Sequence, residues 1–274
     1  MPVWGWICLG LLGGGLLVLF CWWQNKGLTK TWICLDFSRV ETPFRLIHLS
    51  DLHARSFGRG NARLLAMIRE EAPDGIVITG DLVGRFSRRT DPMFSLLEKL
   101  CRIAPIYYVS GNHEYGRRDR EEIFARAAQA GAVVLRHAMR RDTIGGQELW
   151  ILGLDEMGYH RKSRRLLEEF SQKEGFKLLL SHFTERFAGE YREYDIDLIL
   201  TGHAHGGQFI LPWIGGVYSP GQGLFPKYYR GVYREQGSVL VVSRGMGNSR
   251  FPLRLFNRPE VVVIDIIPKR AEEK

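Results

Sequence analysis

The sequence predicts an α/β fold in which two packed mixed β-sheets are flanked by helices, preceded by one N-terminal transmembrane helix. Three observations predict this fold. The first half of the chain alternates β-branched apolar runs with amphipathic segments, as in parallel strands covered by helices. Beyond Gly131, strand-like runs dominate and indicate a second sheet. Residues 3–23 contain no charged residue, so this stretch is apolar enough to cross a bilayer.

The N-terminal apolar segment favours a retained membrane anchor. A helix over Val3–Trp23 is about 30 Å long, which is the thickness of a bilayer core. A cleaved signal peptide is the alternative, but it needs a basic segment before the apolar run, and the sequence has none there. Lys26, Lys30 and Arg39 follow the segment, so the positive-inside rule places the globular domain in the cytoplasm. The tryptophans that bracket the segment are Trp4, Trp6, Trp22 and Trp23.

The domain organisation follows from length and composition. We expect a transmembrane anchor over 1–25, a juxtamembrane segment over 26–43 with a first strand around 31–37, one globular domain over 44–268, and a tail over 269–274. The chain has 274 residues and no Pro/Ser-rich linker, which favours one large domain. The four cysteines stand singly, which argues against cysteine-based chemistry and favours a reducing compartment.

The first half of the domain is expected to alternate strands and helices. Apolar runs with β-branched residues predict strands, and apolar residues at helical spacing predict helices. Pro73 ends the first of these helices, and Asp91-Pro92 begins the second. The strands are expected at 44–50, 75–79 and 104–109, and the helices at 61–72, from 91, and at 119–130.

The second half is expected to contain more strands than helices. A hairpin is predicted across Gly145-Gly146. The strands are expected at 132–136, 148–154, 176–181, 195–201, 206–212, 238–243 and 260–267, with a helix at 163–174. The segment 213–231 is rich in Gly, Pro and aromatic residues. We expect either an ordered loop over the site or beside the membrane, or a packed surface loop.

The net charge points to an anionic partner. The formal charge is +8 and the sequence pI is about 9.4, which fits a phosphorylated substrate, an acidic membrane surface or nucleic acid. A merely soluble basic surface is the alternative. Arginines that follow the predicted strands could attract a second phosphate or a phospholipid head group. They are Arg55, Arg59, Arg85, Arg88, Arg89, Arg117, Arg118 and Arg120.

Several predicted strands end in side chains that can bind metals. The carboxyl ends of strands in an α/β sheet border a crevice, where ligands bind. In an extended segment, side chains two residues apart point the same way, so Asp51 and His53 can approach one cation together. His203 and His205 can do the same. The candidate ligands are Asp51, His53, Asp81, Asn112, His182, His203 and His205. His113 is free to hydrogen-bond a substrate, and Glu114 is close by to orient or charge it.

This donor set predicts a metal centre. Carboxylate, imidazole and amide oxygen suit borderline or hard divalent cations such as Mn²⁺, Fe²⁺ or Zn²⁺. The residues are too many for one closed tetrahedral site, and two metals that share a bridging carboxylate use them all. The alternative is a group of buried histidines that only satisfies a polar core.

The order of these motifs resembles the calcineurin-like metallophosphoesterase superfamily. The motifs are Asp51-x-His53, Gly80-Asp81, Gly111-Asn112-His113-Glu114, His182 and Gly202-His203-x-His205. The resemblance implies a two-sheet sandwich and a dinuclear site in which Asp81 bridges the two metals. One metal would be held by Asp51, His53, Asp81 and His205, and the other by Asp81, Asn112, His182 and His203. His113 would contact the scissile phosphate and assist the leaving group, with Glu114 as its partner.

Two cations in such a site predict a hydrolytic mechanism. They lower the pKa of a bridging water, so that hydroxide can attack phosphorus in line near neutral pH. They also neutralise the phosphoryl oxygens, where His113 can add a hydrogen bond. The expected activity is therefore that of a metal-dependent phosphohydrolase acting on a phosphodiester or pyrophosphate bond.

Motifs in the C-terminal half resemble one subgroup of this superfamily in particular. They lie at 202–208, 244–249 and 258–260, and resemble the membrane-anchored subgroup described as transmembrane protein with metallophosphoesterase domain. That subgroup is similar to an enzyme that hydrolyses UDP-2,3-diacylglucosamine, which implies a lipid-linked substrate and a role in lipid metabolism. The alternatives are a phosphodiesterase acting on nucleotides or nucleic acid, which the membrane span disfavours, and a non-catalytic membrane scaffold.

Overall fold

The protein has one long helix at its N-terminus and further helices on the outer faces of two β-sheets. The computed structural model describes residues 2–155, 161–248 and 251–270. Short 3₁₀ turns occur at Arg59–Asn61, Tyr191–Glu193 and His205–Gly207. The helices are α1 (Val3–Lys26), α2 (Ala62–Glu70), α3 (Asp91–Cys101), α4 (Asn112–Tyr115), α5 (Arg120–Gln129), α6 (Arg161–Ser171) and α7 (Arg186–Gly189).

The strands form two large mixed sheets within the described residues. In chain order the strands are β1 (Thr29–Phe37), β2 (Phe44–Leu49), β3 (Gly75–Thr79), β4 (Ile106–Val109), β5 (Val133–Val134), β6 (Ala138–Ile144), β7 (Gln147–Gly153), β8 (Phe176–Leu180), β9 (Leu198–Thr201), β10 (Ile210–Leu211), β11 (Gly215–Gly216), β12 (Tyr218–Ser219), β13 (Gly223–Leu224), β14 (Gly231–Glu235), β15 (Ser238–Val242) and β16 (Glu260–Pro268). The first sheet has the order β1-β16-β2-β3-β4-β5, and the second has the order β14-β15-β9-β8-β7-β6. Two small hairpins, β10-β11 and β12-β13, stand apart from both sheets.

The two sheets pack face to face over a common apolar core. Successive side chains of a strand point to opposite faces. Leu46 of β2 therefore lies in the core between the sheets, together with Leu178 and Leu198 of the second sheet, while Ile47 packs beneath α2, α3 and α5. On the far face of the second sheet, Phe170 of α6 joins a third apolar cluster. This architecture confirms the predicted sandwich of two sheets flanked by helices.

Two segments differ from the predicted elements. The segment expected as a strand at 206–212 begins with Gly206, Gly207 and Gln208, whose φ angles of 63°, 71° and 60° place them in the left-handed region. This region is incompatible with an extended strand, and the segment forms a 3₁₀ turn followed by a short hairpin instead. The segment 231–235, which had no predicted strand, forms β14 at the edge of the second sheet.

The N-terminal helix is long and apolar enough to span a membrane. Its side chains are mostly exposed, except near its C-terminal end, where Cys21, Gln24 and Asn25 are buried. Only Gly27 and the buried Leu28 separate α1 from β1. Strand β1 then pairs in parallel with β16 from Thr29 to Phe37, so the segment after the helix is part of the first sheet.

Candidate metal centre

The loops that follow β2, β3, β4, β8 and β9 bring all the predicted ligands together. Asp51, Asp81 and His203 have φ angles of 53°, 53° and 64°, in the left-handed region that non-glycine residues rarely adopt. Such strain is typical of functional sites. The loops also approach one another closely, because a Cβ atom at Gly111 would lie 2.2 Å from Asp81 Oδ1. Only glycine at this position permits the contact.

A first group of donors surrounds Asp51. The ligand atoms of Asp51, His53, Asp81 and His205 all lie within 4.8 Å of one another, which suits a single cation. The Nε2 atom of His205 lies 3.3 Å from Asp51 Oδ1, and the Nε2 atom of His53 lies 3.7 Å from Asp81 Oδ2. The described residues donate no hydrogen bond to the buried Asp51 Oδ1, so this oxygen is available as a ligand.

A second group surrounds His182. Its Nε2 atom lies 3.2 Å from Asn112 Oδ1, 3.1 Å from His203 Nδ1 and 3.4 Å from Asp81 Oδ2. The Oδ2 atom of Asp81 is therefore near histidines of both groups. Since carboxylate oxygens can bridge two cations, the arrangement has the donors and the connection of a dinuclear site.

The ring of His182 is held in one orientation. Its Nδ1 atom lies 2.7 Å from the carbonyl oxygen of Thr79. A carbonyl oxygen only accepts, so Nδ1 carries the hydrogen and Nε2 faces the cluster. A backbone partner of this kind commonly fixes metal-binding histidines.

Burial keeps most of the histidines neutral. It lowers the pKa of His53, His203 and His205 to about 3, so each imidazole retains a lone pair for a metal at neutral pH. Burial also opposes the charge on His182, but the carboxylate of Asp81 outweighs this effect and raises its pKa to about 10. Burial likewise opposes ionisation of Asp81, yet the charge and the hydrogen bond of His182 hold its pKa far below its usual range. The cluster thus attracts positive charge, and its donors fit divalent cations.

His113 stands beside both groups on the first turn of α4. Its ring centroid lies 4.5 Å from that of His53, and its Nε2 atom lies 3.9 Å from Asp81 Oδ2. The backbone N–H of Arg85 donates to His113 Nδ1 at 3.1 Å. In the neutral ring this leaves the hydrogen on Nε2, which can donate to a bound anion.

Glu114 is buried beneath the site. Its carboxylate accepts the backbone N–H groups of Asp81 and Gly111, both at 2.9 Å, and that of Val83 at 2.8 Å. Burial and the charge of Asp81 raise the pKa of Glu114, while the N–H groups of Val83 and Gly111 oppose the rise. Sequence reasoning expected Glu114 to be the partner of His113, and that pairing stays a prediction. The contacts described here give Glu114 the task of fixing the loop that carries Asp81.

Sequence reasoning missed two side chains that brace the site. The amide of Asn257 donates to the carbonyl oxygens of His205 at 2.7 Å and Gln208 at 3.1 Å. The fully buried guanidinium of Arg254 donates to the carbonyl oxygens of Arg244 and Gly247. Both residues act through backbone groups, and single residues of this kind have no recognisable sequence pattern.

Predicted site residues line a cavity of about 580 Å³, namely His53, Asp81, Asn112, His113, His203 and His205. Arg85 and the aromatic side chains of Phe86, Tyr218 and Phe251 line its walls. Tyr218 belongs to the 213–231 segment, so part of that segment borders the site. Of the other predicted arginines, Arg117 donates to the carbonyl oxygens of the loop after β3.

Similarity to known proteins agrees with this geometry. Residues 44–207 match the calcineurin-like phosphoesterase family. The chain is 28% identical to the uncharacterized metallophosphoesterase YkuE of Bacillus subtilis, over 81% of this chain and 79% of that protein. It is 26% identical to the phosphodiesterase YaeI of Escherichia coli, over 84% of this chain and 85% of that protein. It is 29% identical to the transmembrane protein with metallophosphoesterase domain of Danio rerio, over 83% of this chain and 53% of that protein.

A solved structure has the same fold. The sulfate thiohydrolase SoxB of Thermus thermophilus superposes with a TM-score of 0.50 at 14% identity, over 81% of this chain and 56% of that one. At this identity the likeness concerns the fold alone. The family match covers the segment that carries the described donor cluster. The chain therefore belongs to the calcineurin-like phosphoesterase family and is a metal-dependent phosphohydrolase.

Proposed function

We propose that the protein is a membrane-anchored dinuclear phosphoesterase that cleaves a phosphodiester or pyrophosphate bond. The observation that carries the proposal is the position of Asp81 between the two donor groups, 3.7 Å from His53 Nε2 and 3.4 Å from His182 Nε2. Asp51, His53, Asp81 and His205 would hold one cation. Asp81, Asn112, His182 and His203 would hold the other.

The residues around the two cations have separate tasks in this proposal. When bound, the cations supply a nucleophile by lowering the pKa of water, and they neutralise phosphoryl oxygens. His113 donates from Nε2 to the phosphate and assists the leaving group. Glu114 holds the loop of Asp81 in place, and Arg85 at the cavity wall contacts a second anionic group of the substrate.

The lining of the cavity supports a lipid-linked substrate such as UDP-2,3-diacylglucosamine. Phe86, Tyr218 and Phe251 give its walls an apolar character that suits acyl chains, and Arg85 suits a phosphate. The E. coli relative is named a phosphodiesterase and the Danio rerio relative a transmembrane protein, which supports both the bond type and the anchor. We place the catalytic domain in the cytoplasm because Lys26, Lys30 and Arg39 follow the apolar helix.

Product analysis of the full-length protein tests this proposal. The detergent-solubilised protein is given Mn²⁺ with UDP-2,3-diacylglucosamine in one reaction and bis(4-nitrophenyl) phosphate in another, and products are identified by mass spectrometry. Release of UMP and the lipid monophosphate is the expected result, and the His113→Ala variant should release far less. Hydrolysis of the nitrophenyl diester alone would reject the lipid substrate. No hydrolysis of either compound with both cations bound would reject the enzymatic proposal.

A further inference from the structure

The topology of the first sheet places α1 at the same end of the molecule as the metal centre. Strand β1 runs parallel to β16, with Thr29 opposite Glu260, while β16 runs antiparallel to β2, with Val262 opposite His48. The start of β1 and the carboxyl end of β2 therefore lie at the same end of the strands in this sheet. Asp51 follows β2 at this end, and α1 ends there too.

The end of α1 packs against the segment 251–258. The rings of Phe20 and Phe256 lie 5.5 Å apart, and the side-chain amide of Asn25 donates to the carbonyl oxygen of Pro252 at 2.6 Å. The guanidinium of Arg258 lies 4.2 Å from the ring of Trp23. These contacts fix the helix beside a segment that also borders the cavity.

The same segment supports the two small hairpins. The backbone N–H of Ile210 donates to the carbonyl oxygen of Leu255 at 2.9 Å, which joins β10 to the segment beside α1. The N–H of Val217 donates to the carbonyl oxygen of Phe209 at 2.9 Å, and the carbonyl oxygen of Val217 accepts the N–H of Phe225 at 2.9 Å, so this residue joins the first hairpin to the second. A continuous set of contacts thus leads from the membrane helix to both hairpins.

The two hairpins expose large apolar side chains. Trp213 is fully exposed at the turn between β10 and β11. Leu224 and Phe225 lie at the end of β13 that is away from its turn, and the side chains at 214, 224 and 225 are at least 60% exposed. Large apolar side chains that neighbouring hairpins expose to water indicate a contact surface. Tryptophan in particular is enriched at the level of lipid head groups. We call Trp213, Ile214, Leu224 and Phe225 the exposed hairpin residues.

We propose that the exposed hairpin residues lie in the bilayer interface and that the cavity opens at the membrane surface. The inference rests on the proposed membrane anchoring of α1 and names the surface that the anchor brings to the lipid. Tyr218 of the second hairpin and Phe251 line the cavity together with His53, Asp81 and His205. They provide an apolar path by which the acyl part of a substrate can remain in lipid while its phosphate reaches the cations.

Quenching of tryptophan fluorescence by brominated lipid tests the inference. The full-length protein is reconstituted into phosphatidylcholine vesicles in which part of the lipid carries bromine near the head group. Wild type is compared with Trp213→Phe, which removes one fluorophore from a fully exposed position and leaves the packing intact. Trp150→Phe is the matched control, because Trp150 lies on β7 of the second sheet.

The quenching measured in each variant tests the membrane placement of the hairpins separately from that of α1. We expect the quenched part of the emission to decrease in Trp213→Phe and to stay at the wild-type value in Trp150→Phe. Equal quenching in wild type and Trp213→Phe would overturn the placement of the exposed hairpin residues, while quenching of Trp22 and Trp23 would still support the anchor. Absence of quenching in every variant would overturn the anchor as well.

Discussion

The carboxylate of Glu114 accepts the backbone N–H of Asp81 at 2.9 Å, and this contact joins the loop after β4 to the loop after β3. The side chain thus fixes a donor that lies between the two ligand groups without itself facing the cavity. The same carboxylate accepts the N–H groups of Val83 and Gly111, so three backbone donors depend on one buried side chain.

Replacing this carboxylate by an amide should loosen the site. In Glu114→Gln one oxygen becomes an NH₂ group, which cannot accept the N–H groups that it faces. Leaving buried donors unpaired costs about 1–3 kcal/mol, and we expect a lower thermal midpoint with a lower metal content. Glu122→Gln on the exposed face of α5 is the control and should behave as wild type. A wild-type midpoint and metal content in Glu114→Gln would disprove the bracing role.

Asp81→Asn should reduce the number of bound cations. The substitution keeps the shape of the side chain and removes the charge that both proposed sites share. Elemental analysis of purified protein should therefore find less metal per chain than in wild type. Asp36→Asn, an exposed change on β1, should bind the wild-type amount. Two full equivalents of metal in Asp81→Asn would rule out the bridge.

His113→Ala should retain its metals and lose most of its turnover. A side chain that transfers a proton in the transition state commonly contributes about 10²–10⁴-fold in rate. We expect kcat to fall within that range while elemental analysis gives the wild-type metal content. Tyr115→Phe on the same short helix is the matched control and should keep full activity. An unchanged kcat in His113→Ala would remove this residue from the reaction.

The ion pair of Asp195 with Lys177 should give a measurable pH dependence of stability. Lys177 is buried, and its Nζ atom lies 2.7 Å from Asp195 Oδ2. The guanidinium of Arg39 and the ammonium of Lys177 outweigh partial burial and lower the pKa of Asp195 from 3.8 to about 2. A lowered folded-state pKa means that this stabilisation is present above the unfolded value and disappears as the pH falls through the folded value.

The variant Asp195→Asn isolates this effect. At pH 7 it should lower the free energy of unfolding by roughly 1 kcal/mol, a modest value because Asp195 is 55% exposed. The difference from wild type should shrink as the pH falls from about 4 towards about 2 in urea unfolding experiments. Glu148→Gln, which removes the exposed pair with Arg141, should change stability little at any pH. A difference that is independent of pH would exclude the ionic origin.

A reporter fused after Lys274 should be found on the cytoplasmic side. Positive residues after an apolar helix favour retention of that flank in the cytoplasm. Protease protection in intact cells and inverted vesicles measures the orientation, with a reporter before Val3 as the opposite control. Access to the C-terminal reporter from outside intact cells would reverse the proposed topology.

The sequence predicts most of the sandwich because its central strands are continuous apolar runs. The hydrophobic periodicity and Pro73 correctly predicted the positions of strands β2, β3 and β4 and of helices α2 and α3. Strand β14 was not predicted because its side chains are only partly buried at a sheet edge, which gives a weak apolar pattern. The turn at Gly206 was not predicted because left-handed backbone angles depend on tertiary contacts.

The donor residues of the site could be predicted, but the side chains that hold their loops in place could not. Asp51, Asp81 and His182 end recognisable strands, so their type and order indicate a metal centre. Glu114 accepts the backbone N–H groups of Asp81 and Val83, which are distant in sequence, and no pattern records these contacts. Arg254 donates to two nearby backbone carbonyls and to the side chain of Asn248, and these contacts have no recognisable pattern either.

The short connection between α1 and β1 limits how the domain can be released from its helix. Gly27 and the buried Leu28 are the whole link, and β1 continues directly into nine registered pairs with β16. A protease needs an extended, accessible stretch of chain, which here exists only after β1 separates from the sheet. Cleavage at this point therefore requires prior local unfolding of the first sheet, so the proposed anchor would keep the domain from being released as a soluble fragment.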